Sequence, residues 1–392
     1  MNIIPAHRME QFTEGIFNQL NDKKLEREAS GKAVYNFSIG TPDFPPADHI
    51  MEAVALAARN PDNYKYALTD LSELTDAVID KYKKRYQVTL AKEEVMSVYG
   101  SQEGIAHIAL PLINKGDIVL VPDPGYPIFS LGPALSGAKL VTYELTKEKE
   151  YLPDLDAIAE AYGQTAKMMI VSYPLNPIGK AAPDSFYQEL ILWAIEHNIL
   201  IIHDNAYSDI IFDGRIGHSI LSFERAKEIA VEFYSLSKSY NYTGARVSFL
   251  LGNSKVISLF RRLRSQIDYG TFLPVQYGAI AALTGPDDMI KEQCREYESR
   301  RDVLCDEFGK LGFYIEKSQG TMFVWAKIPH GFSGDLEFAM ELFQETGILC
   351  TPGSSFGELG KGYVRFALVL PVSEIKEALV AAEKSGFFKV KR

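Results

Sequence analysis

The chain has 392 residues, 46% of them apolar and 23% charged, and a formal net charge of −10. These values are ordinary for a soluble globular protein and exclude collagen-like, coiled-coil and wholly disordered chains; at roughly 150 residues per domain they point to about two or three domains. The acidic balance makes a nucleic acid an unlikely partner, because a phosphate backbone would be repelled on average. No apolar run reaches the length of a membrane span. The start, Met1 to Arg8, lacks a basic-then-apolar signal pattern, so a cytoplasmic protein is expected. Three cysteines, Cys294, Cys305 and Cys350, show no C-x-x-C spacing and imply neither a disulfide framework nor a zinc site.

In chain order, a helix is expected over Arg8 to Glu28, then a Pro-rich turn from Thr41 to Pro46. Another helical stretch covers Ile105 to Ile113. Buried strands are expected at Asp117–Val121, Lys139–Leu145, Lys167–Ser172, Ile199–His203 and Ile229–Tyr234, with a helix over Pro183–His197 among them. Strands alternating with helices imply an α/β fold with a mainly parallel sheet covered on both faces. The basic cluster Arg261-Arg262-Leu263-Arg264 reads as a solvated helix face. Thr284-Gly285-Pro286-Asp287 punctuates the chain, and a long charged helix follows from Met289 to Leu311. Short strands and helices complete it, at 312–316, 322–327, 335–347, 362–368 and 373–385. This different rhythm predicts a second, smaller α+β domain, built from residues 1–45 and 286–392 around a large domain of residues 46–285.

Two motifs mislead. Gly353-Ser354-Ser355-Phe356-Gly357 matches G-x-S-x-G, but a Gly-rich loop follows it where a hydrolase elbow needs a helix, and no histidine lies beyond it. None of the seven His residues forms a metal-binding pair, and no G-x-G-x-x-G or G-x-x-x-x-G-K fingerprint occurs, so no metal is expected.

The informative segment runs from Ser235 to Arg246 (SLSKSYNYTGAR) and directly follows an apolar strand. Its hydroxyls and Arg246 suit a dianionic phosphate, and Lys238 beside such a site suits a Schiff base with pyridoxal 5′-phosphate. A plain polar loop is the alternative. Gly100-Ser101-Gln102-Glu103-Gly104 opens a helix whose free N–H groups could take a phosphate, or Ser101 could simply cap it. Asp204 ends a buried strand, where ligands of open α/β sheets bind; a helix cap or ion pair would also explain it. Ser172 to Gly179 contains two prolines and a glycine that fix Asn176 in a rigid loop, or a plain turn.

Taken together, and at this spacing, these segments resemble the class I/II aminotransferases, fold type I pyridoxal phosphate enzymes, over nearly the whole chain. The stretches 100–107, 122–127 and 151–156 look most like the LL-diaminopimelate aminotransferase-like subgroup. The resemblance implies a large domain with a seven-stranded-type sheet sandwiched by helices, and a homodimer. It makes Lys238 the Schiff-base lysine and places Arg246, Ser235, Ser237, Ser101 and Gln102 on the cofactor phosphate. Asp204 would pair with the pyridine nitrogen, Asn176 and Tyr207 with the phenolic oxygen, and Tyr126 would stack on the ring. Arg365 would hold the substrate α-carboxylate, with backbone contact from Gly40. A tyrosine of the family reaches the partner subunit's phosphate; Tyr64 and Tyr66 compete for that place, and Tyr66 is taken. The chain departs from the family pattern at Ile178, where Thr is usual, at Ser248, where Gly is usual, and at Asp70, where the family has Gly.

The implied reaction moves the α-amino group of an L-amino acid to a 2-oxo acid with ping-pong kinetics. A pyridoxal phosphate-dependent carbon–sulfur β-lyase would share every cofactor motif. A pyridoxal phosphate-binding regulator would need a DNA-binding domain, for which the motifs, beginning at Gly40, leave no room. In the aspartate aminotransferases, which the chain resembles at the level of the family, a partner-subunit arginine in the segment after the helix that follows the lysine loop binds the distal carboxylate. Here that segment, 265–274, holds no basic residue, so the resemblance implies that aspartate is not the best donor and that a neutral or distally aminated one is preferred. Asp268 in it would repel an anion and could welcome an ammonium; the alternative is that Arg264 or Arg261 reaches the site.

Overall fold

The computed structural model describes residues 3–12 and 15–390. A seven-stranded sheet forms its centre, in the spatial order Val95–Val98, Ser248–Gly252, Ala230–Ser235, Leu200–Asn205, Ala166–Ser172, Ile118–Asp123, Lys139–Glu144. Of these strands only Ser248–Gly252 runs opposite to the rest, so its pairings with Val95–Val98 and Ala230–Ser235 are antiparallel; the remaining pairings are parallel. Both faces of the inner strands are buried, which is why those strands read as unbroken apolar runs, whereas the edge strand Lys139–Glu144 is mostly half-buried or exposed. In Ala166–Ser172, Met169 and Val171 enter one apolar cluster while Met168 and Ile170 enter another across the sheet. The helix Asp184–His197 covers the first face, burying Phe186, Tyr187, Leu190 and Ile191; Pro183 sits just before it, where its missing N–H costs nothing.

A smaller antiparallel sheet has the order Thr351–Pro352, Tyr363–Ala367, Phe323–Lys327, Tyr314–Ile315. Its core is aromatic, with Phe37, Phe308, Phe313 and Phe366 in edge-to-face contact. The N-terminal segment is stitched into it. Tyr35–Asn36 pairs in parallel with Ile348–Leu349, and the Ala367 N–H donates to the Phe37 carbonyl at 2.7 Å. The Pro-rich turn is pinned by Arg300 of the helix Asp288–Lys310, whose guanidinium holds the Asp43 carboxylate at 2.8 and 2.9 Å.

The structure corrects several sequence expectations. The first helix is not continuous from Arg8 to Glu28: a 3-10 turn at His7–Gln11 ends at the extended Phe12, and the α-helix begins at Ile16 after Gly15. Residues 13–14 of that expected helix lie outside the described residues. The helix expected at Ile105–Ile113 spans Ser101–Ile108, entered through Gly100 at φ 86° with no side-chain cap, so the capping alternative for Ser101 fails. Strands Val95–Val98 and Ser248–Gly252 were not anticipated. In the basic cluster Arg261 and Arg262 are exposed as a solvated face would have them, but Arg264 is 4% exposed and binds Glu103 at 3.1 Å and Asp268 at 2.5 Å. No helix of the described residues is long and apolar enough to cross a membrane.

Candidate active site

The carboxyl ends of the parallel strands and the inner face of the small sheet enclose a cavity of about 240 Å³. The sequence-predicted residues Gly40, Ser101, Gln102, Tyr126, Asn176, Asp204, Tyr207, Ser235, Ser237, Lys238, Arg246 and Arg365 all line it. Residues the motifs did not flag complete the wall: Ile39, Thr41, Ile105, Ile128, Ala206, Thr243 and Phe323. Thr243 lay inside the SLSK-to-Arg segment and could have been found there; the others are neutral types with no motif of their own. Tyr66 stands outside this wall, 79% exposed, with its ring 5.1 Å from that of Tyr269.

Lys238 rides on a short helical turn, Leu236–Ser239, at the end of the strand Ala230–Ser235. That turn is held from several sides. Ser235 Oγ accepts from the Ser237 N–H at 3.1 Å, Thr243 Oγ1 donates to the Ser237 carbonyl at 2.8 Å, and Gln293 Nε2 donates to the Lys238 carbonyl at 2.8 Å. The Lys238 amine donates to the Gly40 carbonyl at 2.5 Å. Gly40 therefore offers its carbonyl to the lysine; a substrate carboxylate, which only accepts, can use no more of Gly40 than its N–H. Burial, with Arg365 and Arg246 nearby, lowers the amine to about 8, against the pull of Asp204.

Asp204 sits near the end of the strand Leu200–Asn205, 8% exposed. Its Oδ1 has no hydrogen-bond partner. Burial pushes the carboxyl up to about 7, although His203 opposes this. A buried carboxylate with an unsatisfied oxygen calls for a donor, best a cationic one. Ser101 Oγ is likewise buried without a partner at the start of its helix. Beside it, a Cβ on Gly100 would lie 2.3 Å from Arg246 Nη2, so the glycine makes room for the guanidinium. Arg246, itself in the left-handed region at φ 56°, donates to the Thr243 carbonyl at 3.1 Å.

On the opposite wall Arg365 is 2% exposed, with its guanidinium over the rings of Phe323 and Phe356 at 4.0 and 4.7 Å from their centroids. It donates to Asn176 Oδ1 at 2.9 Å and to the Ser38 carbonyl at 3.0 Å, both neutral oxygens. Burial lowers it to about 10. Tyr126 donates to Gln102 Oε1 at 2.9 Å, and the Tyr207 ring packs edge-on to Phe323. Burial holds the Tyr207 hydroxyl well above its ordinary range, so it stays protonated at neutral pH. Lys238, Arg246 and Arg365 thus face one acid, Asp204, in a protein whose net charge is −10. Such a cavity is built for anions.

Asp268 does not line this cavity within the chain, and Arg264 holds it in an ion pair. Asp70, where the family has Gly, takes both the hydroxyl and the N–H of Ser97, at 2.5 and 2.9 Å, and ties its loop to the sheet. Among the described residues no cluster of His, Cys, Asp or Glu is disposed to hold a metal ion.

A large α/β unit with a lysine at a strand end, an anion cradle and an opposed buried arginine marks the fold type I pyridoxal phosphate enzymes as a class. The family model described as "Aminotransferase class I and II" matches residues 32–381, and the chain belongs to that family. It is an aminotransferase that uses pyridoxal 5′-phosphate. It is 41% identical over 382 residues to an LL-diaminopimelate aminotransferase of Halothermothrix orenii, covering 97% of this chain and 98% of the relative. With one of Moorella thermoacetica the identity is 39%, over 95% of this chain and 96% of the relative. Among solved structures it is similar to substrate-bound BacF from Bacillus subtilis, with a TM-score of 0.95, 35% identity and 98% of each chain covered. A probable N-succinyldiaminopimelate aminotransferase from Thermus thermophilus gives a TM-score of 0.89 at 31% identity, over 95% of this chain and 100% of the other.

The residues present fit the cofactor. Ser101 Oγ, without a partner, and Arg246 suit a phosphate; Asp204 Oδ1, without a partner, suits a protonated ring nitrogen; and the lowered Lys238 amine suits covalent attachment.

Proposed function

We propose that Lys238 attaches the cofactor and then carries the proton that is exchanged at the substrate Cα. The observation that carries this reading is the Lys238 amine, buried and lowered to about 8, in a cavity that also holds Asp204, Arg246 and Arg365. Pyridoxal phosphate, when bound, supplies the carbonyl that takes the amino group and the ring that accepts the electron pair left at Cα. Asp204 would accept the ring N–H and keep that nitrogen protonated. Arg365, already aligned by Asn176 and Ser38, would take the α-carboxylate bidentately and aim the Cα–H bond at Lys238 Nζ. Near neutral pH part of the amine population is uncharged, as a general base requires. Asn176 and Tyr207 would hydrogen-bond the phenolic oxygen, and Tyr126 would pack on the ring. Ser101, Gln102, Ser235, Ser237 and Arg246 would hold the phosphate.

The active form in this reading is a homodimer, in which Tyr66 of each chain reaches the phosphate of the partner subunit. Its support is an exposed aromatic patch: Tyr66 rests on Tyr269, and Tyr64 on Phe272. Residues 46–285 form the large domain and residues 1–45 with 286–392 the small one; the two main apolar clusters support that division in outline, with Trp325 and Phe356 crossing into the large-sheet cluster and Tyr207, Ile210 and Phe212 into the small-sheet one. The reading includes a cytoplasmic setting, where free amino acids and 2-oxo acids meet.

For the donor we propose a neutral or distally aminated amino acid in preference to aspartate. The cavity lining includes Ile39, Ile105 and Ile128, and Arg264 is committed to Glu103 and Asp268. The names of the relatives make LL-diaminopimelate the first donor to try. Steady-state kinetics over a donor panel tests this. A specificity constant for aspartate above that of every neutral and diamino donor would rule it out.

A further inference from the structure

Tyr126 and Arg365 lie on different sheets, yet a single side chain outside the cavity ties their supports together. Asp123 ends the strand Ile118–Asp123, and Tyr126 follows it after a Pro-Gly step. Its carboxylate is 8% exposed and spans to the segment that joins the small-sheet strands Thr351–Pro352 and Tyr363–Ala367. Oδ2 accepts the Glu358 N–H at 3.2 Å and Oδ1 accepts the Leu359 N–H at 3.1 Å. Two residues further along, the Gly125 N–H donates to the Phe356 carbonyl at 2.7 Å. Gly357 lies between these contacts at φ 130°, and a Cβ there would stand 2.1 Å from Asp123 Oδ1. No larger residue fits while the carboxylate stays in place. Burial pushes the Asp123 carboxyl up, and the two amides draw it back down.

The ring of Phe356 is the link to the site. It is 3% exposed, wedged edge-on against Trp325, and the Arg365 guanidinium lies over it at 4.7 Å from its centroid. The ring contacts act with the hydrogen bonds to Asn176 and Ser38 to fix the guanidinium plane, so unseating Phe356 removes one of its supports. Seating Phe356 depends on the backbone at 356–359, and that backbone is fastened to the Tyr126 loop by Asp123 and Gly125.

We propose that Asp123 is a positioning residue: by clamping the 356–359 backbone it seats Phe356 and so sets the pose in which Arg365 meets the substrate carboxylate opposite Tyr126. The inference rests on the role given above to Arg365. It predicts that losing the clamp weakens carboxylate capture more than it slows the chemistry. A residue that merely stabilised the fold would leave KM and kcat per folded molecule unchanged.

The test compares the pyridoxal phosphate-loaded wild type with Asp123→Ala, Asp123→Asn and Gly357→Ala by two readouts. Amide hydrogen exchange over 356–360 reads the clamp without needing turnover. KM and kcat for one amino donor and one 2-oxo acid read its consequence. In Asp123→Ala exchange should rise, KM for both carboxylate substrates should rise about tenfold or more, and kcat should change by no more than about threefold. Asp123→Asn keeps one acceptor oxygen and should fall between; Gly357→Ala should displace the carboxylate and behave like Asp123→Ala. If Asp123→Ala does not fold, the other two variants decide by the same criteria. Wild-type exchange in the variants, faster exchange with unchanged KM, or a fall in kcat alone would each overturn the proposal. A wild type that transaminates no donor would instead refute the functional reading, while the exchange data would still report on the clamp.

Discussion

At the scale of single residues, the site works through groups whose charges are out of balance until ligands arrive. Asp204 is raised to about 7 by burial and leaves one oxygen unmatched. Asp204→Ala should retain the fold but lower turnover at least about a hundredfold, because an unprotonated ring nitrogen is a poor electron acceptor. Near wild-type kcat with intact circular dichroism would remove Asp204 from the chemistry. Lys238 shifts the other way, down to about 8. Only the free amine is a nucleophile, so below that value its reactive fraction falls as pH falls. Covalent attachment of pyridoxal phosphate to the empty protein should accelerate roughly tenfold per pH unit up to about 8 and then level off, whereas an ordinary lysine would keep gaining to above 10. Stopped-flow absorbance measures it. These residues were legible in the sequence because charged and hydroxyl types stood at strand ends in recognisable spacing. Phe323, Phe356 and Asp123 were not: a buried phenylalanine looks like core, and nothing in D-P-G-Y-P reveals that its carboxylate crosses to amides more than two hundred residues away.

At the scale of elements, the apolar runs predicted the central parallel strands well, because burial on both faces leaves a continuous signature. Val95–Val98 and Ser248–Gly252 carry weaker signals for different reasons. The first has only four residues, and the second follows closely on the polar Lys238 segment, with no helical stretch between to set it off. The N-terminal helix was overextended because helical spacing before Phe12 outweighed the signal of Gly15. The turn at Gly100 carries the sharpest elemental prediction. Its φ of 86° and the 2.3 Å approach of Arg246 Nη2 to a hypothetical Cβ leave no room for alanine. Gly100→Ala should cost about 1–3 kcal/mol of backbone strain and displace Arg246, weakening pyridoxal phosphate binding about tenfold or more. Equilibrium dialysis that returned the wild-type affinity would show that Arg246 does not need this path.

At the scale of the whole molecule, the chain ends close a cavity whose floor is made by the middle. Residues 35–37 pair with strands near the C terminus, and Arg300 locks the turn before the large sheet to the long helix. The sequence suggested this by the change of rhythm after Gly285, but it could not show which strands the N-terminal segment would join. Sedimentation of the loaded enzyme should give a dimer, and Tyr66→Phe should weaken cofactor retention without dissociating it; a fully active monomer would contradict that arrangement. The central claim, transamination through a protein-bound cofactor, is tested most directly by a half-reaction. The loaded enzyme is mixed with a single amino acid and no acceptor, and 2-oxo acid and ammonia are both counted. The account predicts about one equivalent of 2-oxo acid per subunit, no ammonia, and a halt until a second 2-oxo acid is added. Continued release of 2-oxo acid together with ammonia would contradict it and identify a lyase.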